Sequence, residues 1–282
     1  PALLGESAMW DYRTQKLVWI DIEGKSVNEY DPSTKVNKSI PVTKRPGTVV
    51  LTQKKDVVVA ALENVFSNVN LASGKIENIK SVDFGTVPVR FNDGKCDANG
   101  RLWIGTVDCK DYANPIASLY RYDAKSVFTK ISDGVITSNG IAWSLDGKKM
   151  YYIDSPLRTV VEYDFNAESG TISNPRVAIK TPEDIGTPDG STIDADGMLW
   201  VAQWGGGCVI RWNPKTGEML QKIEVPAFHV TSVAFGGKDL DILYITTAKI
   251  AMSPEDEKKY PDAGHIFICK PGVKGINAMI FR

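Results

Sequence analysis

Four side chains with oxygen donors stand at matching places in this 282-residue chain: Glu6, Asn92, Asn139 and Asp189. Each is followed by a small-residue or apolar run, and each precedes one of the strongest apolar stretches by about ten residues. Two carboxylates and two amides brought together supply oxygen ligands for a hard divalent cation, with room left for water or substrate. The competing reading is that Asn-Gly and Asp-Gly pairs are only turn formers. That reading accounts for any one of them more easily than for four at the same phase.

One neighbourhood is unusually polar. In the run 90–95, Arg90-Phe91-Asn92-Asp93-Gly94-Lys95, charged and amide groups crowd together just before a stretch that reads as a buried strand. Unpartnered polar groups are costly there, so the cluster marks a site.

The elements that must position these residues form a repeat. The runs LVWID (17–21), VVVAA (57–61), LWIGT (102–106), MYYID (150–154), LWVAQ (199–203) and LYITT (243–247) are six versions of one apolar strand. Several follow the same turn, as at 97–100, 145–148 and 194–197, and several precede a second strand, as at 118–122 and 160–164. A spacing of roughly 40–50 residues with several strands per unit is the pattern of a β-propeller. An α/β barrel would need helices between the strands, yet Gly, Pro, Asn and Asp break those segments. The expectation is therefore an all-β fold, a six-bladed β-propeller filling residues 1–282 as a single domain with a central metal site. Innermost strands should line an axial channel, and the loops entering them should converge on one rim. The run 254–259 reads as a solvated loop or short helical turn. The segments 265–270 and 278–281 are expected to close the ring by pairing with residues near the N-terminus, and Asp21, Asp154 and Asp194 to serve in turns and blade packing.

Composition excludes several classes. With 33 Lys and Arg against 34 Asp and Glu, the net charge of −1 offers no concentrated positive field for nucleic acid or an anionic membrane. No apolar run approaches the ~20 residues needed to span a bilayer, and the start of the chain lacks the pattern of a targeting peptide. Cys96, Cys109, Cys208 and Cys269 have no C-x-x-C spacing. They are expected to be free thiols in a reducing, cytoplasmic setting, a Cys96–Cys109 bridge being the pairing left open. His229 and His265, the two histidines, sit in no recognisable catalytic motif and read as surface or satisfied core residues.

Gly5-Glu6 with Trp10, the run 90–95, Ser138-Asn139-Gly140 with Trp143, Tyr151-Tyr152-Ile153-Asp154-Ser155, Pro188-Asp189-Gly190, Leu199-Trp200-Val201-Ala202 and the run 232–237 occur in family order. Together they resemble the gluconolactonase, regucalcin and luciferin-regenerating-enzyme family over residues 5–275. The resemblance implies hydrolysis of sugar lactones by a six-bladed propeller that holds one divalent metal through Glu6, Asn139 and Asp189. Calcium leads, with zinc, manganese, magnesium or iron(II) as alternatives. It places Arg90 and Asn92 against the substrate, Asn92 also reaching the metal; the chemistry of a metal-acidified water makes Asp189 the choice for proton acceptor. The family's acidic substrate contact falls near Lys110, a departure that leaves Asp108 as a substitute hydroxyl-binding group. The expected partner is a small lactone. Hydrolysis of another ester or phosphoester, and a non-catalytic calcium-binding propeller, are the rival readings.

Overall fold

The computed structural model describes residues 1–123 and 125–282, and they fold as six antiparallel sheets arranged around an axis. Five sheets have four strands and the sixth has three, always in sequence order from the axis outward. The innermost strands are Gly5–Asp11, Pro46–Leu51, Val89–Cys96, Ser138–Trp143, Thr187–Ile193 and His229–Gly236, one each for blades 1 to 6. Each touches the innermost strand of the next blade, and blade 6 returns to blade 1. The runs that repeat in the sequence are the second strands of the blades: Lys16–Asp21, Val57–Leu62, Leu102–Asp108, Lys149–Asp154, Leu199–Trp204 and Ile242–Ala248. They read as nearly continuous apolar segments because a neighbouring blade covers each face. Outer strands such as Val36–Pro41 and Glu218–Glu224 are largely exposed and carry the polar residues. Among the described residues the one α-helix is Pro254–Lys259, started by Ser253, whose hydroxyl accepts from the Asp256 N–H in a capping box.

One local feature recurs in all six blades. The pairing of first and second strands slips between Glu6 and Met9, Pro46 and Thr48, Phe91 and Gly94, Asn139 and Ile141, Pro188 and Ser191, and Val230 and Ser232. Each slip is a β-bulge, which bends the strand and re-aims the side chains beside it. Hydrogen bonds run round the ring at this level. Thr48 Oγ1 lies 2.9 Å from Ser7 Oγ and donates to Gly94 O, Asn92 Nδ2 donates to Ser138 O, Ser155 Oγ donates to Pro188 O, and Thr231 Oγ1 donates to Gly5 O. Neighbouring strands approach so closely that only glycine fits at Gly47, where a Cβ would lie 2.4 Å from Phe91 O.

The ring closes differently from the sequence expectation. The N-terminus does meet blade 6, through Ala2 N to Gly264 O at 2.7 Å, just before the last strand. Phe267–Cys269, however, pairs with Ile242–Ala248 inside blade 6. Residues 274–282 cross the face opposite the Glu6 end of the channel. They are tied to blade 5 by Ala195 N to Lys274 O, to blade 2 by Phe281 N to Leu51 O and to blade 3 by Arg282 N to Gly100 O. Blade 6 keeps three strands because the segment after Phe267–Cys269 leaves as this strap.

The four cysteines are free, so the Cys96–Cys109 bridge does not form. Cys96 is buried on the innermost strand of blade 3, whereas Cys109 is half-buried beyond the opposite end of the adjoining strand. Asp21 and Asp154 accept backbone N–H groups at the chain entries to blades 1 and 4. Asp194 holds its turn through the N–H groups of Asp196 and Met198 and takes Trp200 Nε1 and Arg211 Nε as well. Asp97 repeats this arrangement in blade 3 with Trp103 and Arg101.

Candidate metal centre

Glu6, Asn92, Asn139 and Asp189 lie on innermost strands at the bulges, not in the loops that lead into them. All four are buried, the most exposed at 8%. The bulge explains how a polar side chain comes to sit inside a β-barrel-like ring: the register of one strand changes locally and its side chains turn toward the axis.

Asn92 Nδ2 donates 2.9 Å to Asn139 Oδ1, joining blades 3 and 4. Asn139 Nδ2 donates 2.8 Å to Ser155 Oγ, which in turn donates 2.7 Å to the carbonyl of Pro188, the residue before Asp189. This chain fixes which end of the Asn139 amide is the acceptor and leaves its oxygen a second lone pair. Ser155 closes one of the runs that carry the family resemblance, but the sequence alone assigns it no role; its contacts with Asn139 and with Pro188, 33 residues away, reveal one.

Electrostatics link the acidic residues of three blades. The Glu6 carboxyl is pushed up to about 8 by burial and then by the charge of Asp93, against an opposing hydrogen bond from Ser7 N–H at 3.1 Å. Asp189 is raised well above the carboxylate range by burial, then by Glu6 and Asp93. Burial raises Asp93 too, with Lys95 opposing it. Three acidic groups from blades 1, 3 and 5 thus feel one another's charge. Asp189 Oδ1 is buried and has no hydrogen-bond partner. An unpartnered buried carboxylate oxygen is expensive, and mutual repulsion among neighbouring carboxylates adds to the cost. A cation removes both penalties, so the donors fit a divalent metal. Among the described residues no three His, Cys, Asp or Glu side chains gather tightly enough to hold a metal by themselves. The other oxygen donors on the neighbouring bulges are the amides of Asn92 and Asn139, and all-oxygen donors suit calcium, magnesium or manganese.

Arg90 is 1% exposed. Its Nη1 donates to Phe91 O at 2.9 Å and Asn92 Oδ1 at 3.0 Å, and its Nη2 to the Tyr112 hydroxyl at 3.4 Å, while Nε is unpartnered. The guanidinium therefore orients Asn92 and sits beneath Tyr112, a half-exposed residue that the sequence reading did not single out. Asp108 and Lys110 lie farther out. The Asp108 carboxylate accepts the Lys110 N–H at 2.8 Å and Asn114 Nδ2 at 3.1 Å, contacts that hold it below the usual carboxylate range. Both of its oxygens are thus engaged in ordering the loop that carries Tyr112, and Lys110 is exposed on that loop. The structure does not bring either residue into the cluster of Glu6, Asn139 and Asp189.

His229 is buried and stacked on Trp204 at 3.7 Å, with Nε2 near Ala251 O; His265 is exposed.

A six-bladed propeller with two buried carboxylates, Glu6 and Asp189, and an amide held by its neighbours on the innermost strands defines the class of protein to which this fold belongs. Residues 4–249 match the family described as the SMP-30/Gluconolactonase/LRE-like region, and the chain belongs to that family. It is 40% identical over 266 residues to YvrE of Bacillus subtilis (strain 168), a protein provisionally named a sugar lactone lactonase, covering 94% of this chain and 90% of that one. Its structure is similar to that of a luciferin-regenerating enzyme, with a TM-score of 0.92 and 35% identity over 100% of this chain and 96% of the other. A regucalcin from Agrobacterium tumefaciens, described as a calcium-binding protein, superposes with a TM-score of 0.94 and 25% identity, covering 100% and 95%.

Proposed function

We propose that this protein is a metal-dependent lactonase that opens sugar lactones, aldonolactones such as gluconolactone being the substrate class. The observation that carries the reading is the pair of buried carboxylates, Glu6 raised by burial and Asp93 and Asp189 by burial, Glu6 and Asp93, with Asp189 Oδ1 unpartnered. Membership of the family and the name of the Bacillus relative support the chemistry, and the calcium-binding regucalcin supports calcium as the ion.

Glu6, Asn139 and Asp189 would hold the cation, with Asn92 beside it. When bound, a divalent ion supplies Lewis acidity, polarising an ester carbonyl and acidifying water. The chain's own residues supply the rest. Asp189, with one oxygen free of hydrogen bonds, accepts the proton of the attacking water. Ser155 keeps Asn139 from rotating, so that its oxygen and not its NH2 faces the axis. Arg90 holds Asn92 through Oδ1 and keeps positive charge beside the position where the carbonyl oxygen becomes negative. Tyr112, lying over Arg90, closes that side of the mouth and must swing aside to give a lactone hydroxyl access to the guanidinium. With its oxygens engaged within the loop, Asp108 sets the position of Tyr112 and does not itself bind the sugar.

Metal content together with kcat/KM on a panel of aldonolactones, simple lactones and a phosphotriester tests the proposal. The expected result is hydrolysis of lactones, abolished by chelation and restored by a divalent ion. Full lactonase activity in verified metal-free protein, or turnover confined to the phosphotriester, overturns it.

A further inference from the structure

The axial channel has a second chamber. Opposite the metal centre lies a cavity of about 370 Å³ walled by the far ends of innermost strands from five blades and by the C-terminal strap. Its large side chains are apolar, among them Met9, Trp10, Trp143, Phe235 and Met279. Among the described residues lining it, the single charged one is Lys95. The volume falls in the range of small-molecule sites, about 300–1,000 Å³.

Lys95 is placed between the two chambers. It leaves the innermost strand of blade 3 and reaches across to blade 5, where Nζ donates to the carbonyl of Ser191, next to Thr192 and Ile193 in the cavity wall. Among the described residues its ammonium forms no ion pair. Asp93, two residues away on the same strand, contributes a favourable field without a contact, and Glu6 and Asp189 lie beyond it at the metal centre. Lys95 is half-buried in the cavity wall, and an ammonium whose one hydrogen-bond partner is a neutral carbonyl has two donor positions unfilled. Charges drawn partly out of water favour a partner of opposite sign.

We infer that this lower chamber is a binding site for an amphipathic monocarboxylate, its carboxylate paired with Lys95 and its hydrocarbon body packed among Met9, Trp10, Trp143 and Phe235. The charge complement excludes a neutral hydrocarbon as the preferred occupant, and the apolar walls exclude a polyhydroxylated acid. Entry is from the strap side. The strap is anchored at Lys274, Phe281 and Arg282, while its residues 276–279, part of the cavity wall, make no backbone hydrogen bond among the described residues.

Octanoate is the probe, titrated calorimetrically into the 282-residue protein in excess chelator, so that no metal at the other chamber can bind it. Octan-1-ol and gluconate serve as comparisons. The expected result is one saturable octanoate site, at least tenfold tighter than octan-1-ol, with no binding of gluconate. Lys95→Met should bring octanoate down to the affinity of octan-1-ol while leaving the alcohol unchanged. Ala142→Phe, which places a ring in the cavity wall, should remove both, its fold being checked by circular dichroism. If that variant does not fold, the octanoate-to-octanol ratio in Lys95→Met decides. Non-saturable binding, equal affinity for acid and alcohol in the wild type, or an unchanged preference in Lys95→Met overturns the inference. Failure here leaves the lactonase reading untouched, since neither test involves the metal centre.

Discussion

Removing the metal should make the stability of this protein fall as the pH rises, and the size of that effect follows from Glu6. Its carboxyl titrates near 4.5 in an unfolded chain and at about 8 in the metal-free fold. The native state therefore keeps a proton that the unfolded state has released throughout that interval. Stability is full below pH 4.5, declines across the window and levels off above 8. At 1.36 kcal/mol per unit the loss is about 5 kcal/mol, a large part of the ~5–15 kcal/mol that holds a typical domain together. Asp189 is raised in the same direction, by burial and then by Glu6, so the two carboxyls release their protons in successive steps and Asp189 adds to the decline. Glu6→Gln keeps the shape and a hydrogen-bond acceptor for Ser7 N–H but cannot ionise. In chelator at pH 9 it should be more stable than the wild type by about 3–5 kcal/mol, the difference vanishing at pH 4. With millimolar calcium the order should reverse, because the wild type gains RT ln(1 + [L]/Kd) and the variant has lost a ligand. Urea denaturation at pH 4, 6, 8 and 9, with chelator and with calcium, measures all of this. A metal-free wild type whose stability is flat or rises between pH 5 and 8 would show that these carboxylates are not enclosed together, and the metal centre would have to be redrawn.

Asp189→Ala should lose bound metal and lactonase activity while remaining folded, as judged by metal analysis and circular dichroism, because it removes one of two charged ligands from a core that does not depend on them. Arg90→Ala should keep its metal but lower kcat/KM for sugar lactones by a factor of about 10–100, the equivalent of one charged hydrogen bond of about 1.5–3 kcal/mol; unchanged kinetics on every lactone would make Arg90 a packing residue. In a thiol titration at pH 8, Cys109 and Cys269 should react slowly in the native protein and Cys96 and Cys208 only after denaturation, since burial raises all four and encloses the latter two; fewer than four thiols in denaturant would contradict the free-cysteine structure. Gly47→Ala should cost about 1–3 kcal/mol by thermal denaturation, because its Cβ meets the backbone of blade 3 and that strand must move.

The blade count was legible because the second strand of every blade is enclosed on both faces and carries an uninterrupted apolar signature, as in Leu102–Asp108 and Leu199–Trp204. Closure was not. The alternation near residues 278–281 offered no choice among edges, and a strap of irregular backbone leaves no period to read. Its partners, Leu51 and Gly100, are separated from it by most of the chain and are met only after the ring has formed.

The proposed metal centre shows why chemistry and turn formation are hard to separate in such a sequence. Asn92-Asp93-Gly94, Asn139-Gly140 and Asp189-Gly190 have the composition of tight turns, yet every one of them lies within a strand. A bulge asks for the same local freedom as a turn: short polar side chains, and glycine where another backbone comes close. Phase, not residue type, distinguished them, and phase was available because the blades repeat. It could not show which polar residue beside a bulge faces the axis. Asp93 stood in the polar cluster from the start, but its influence on Glu6 and Asp189 depends on blades 1 and 5 arriving opposite it. Ser155 and Tyr112 are further cases, a hydroxyl that holds Asn139 and a phenol that rests on Arg90, each supplied by a segment outside the repeat motif. Repetition therefore encodes where the ligands converge, whereas the contacts that orient them are written in the parts of each blade that differ. Sequence differences at Ser155, Tyr112 and the loop of Asp108 should accordingly change substrate choice while Glu6, Asn139 and Asp189 stay fixed.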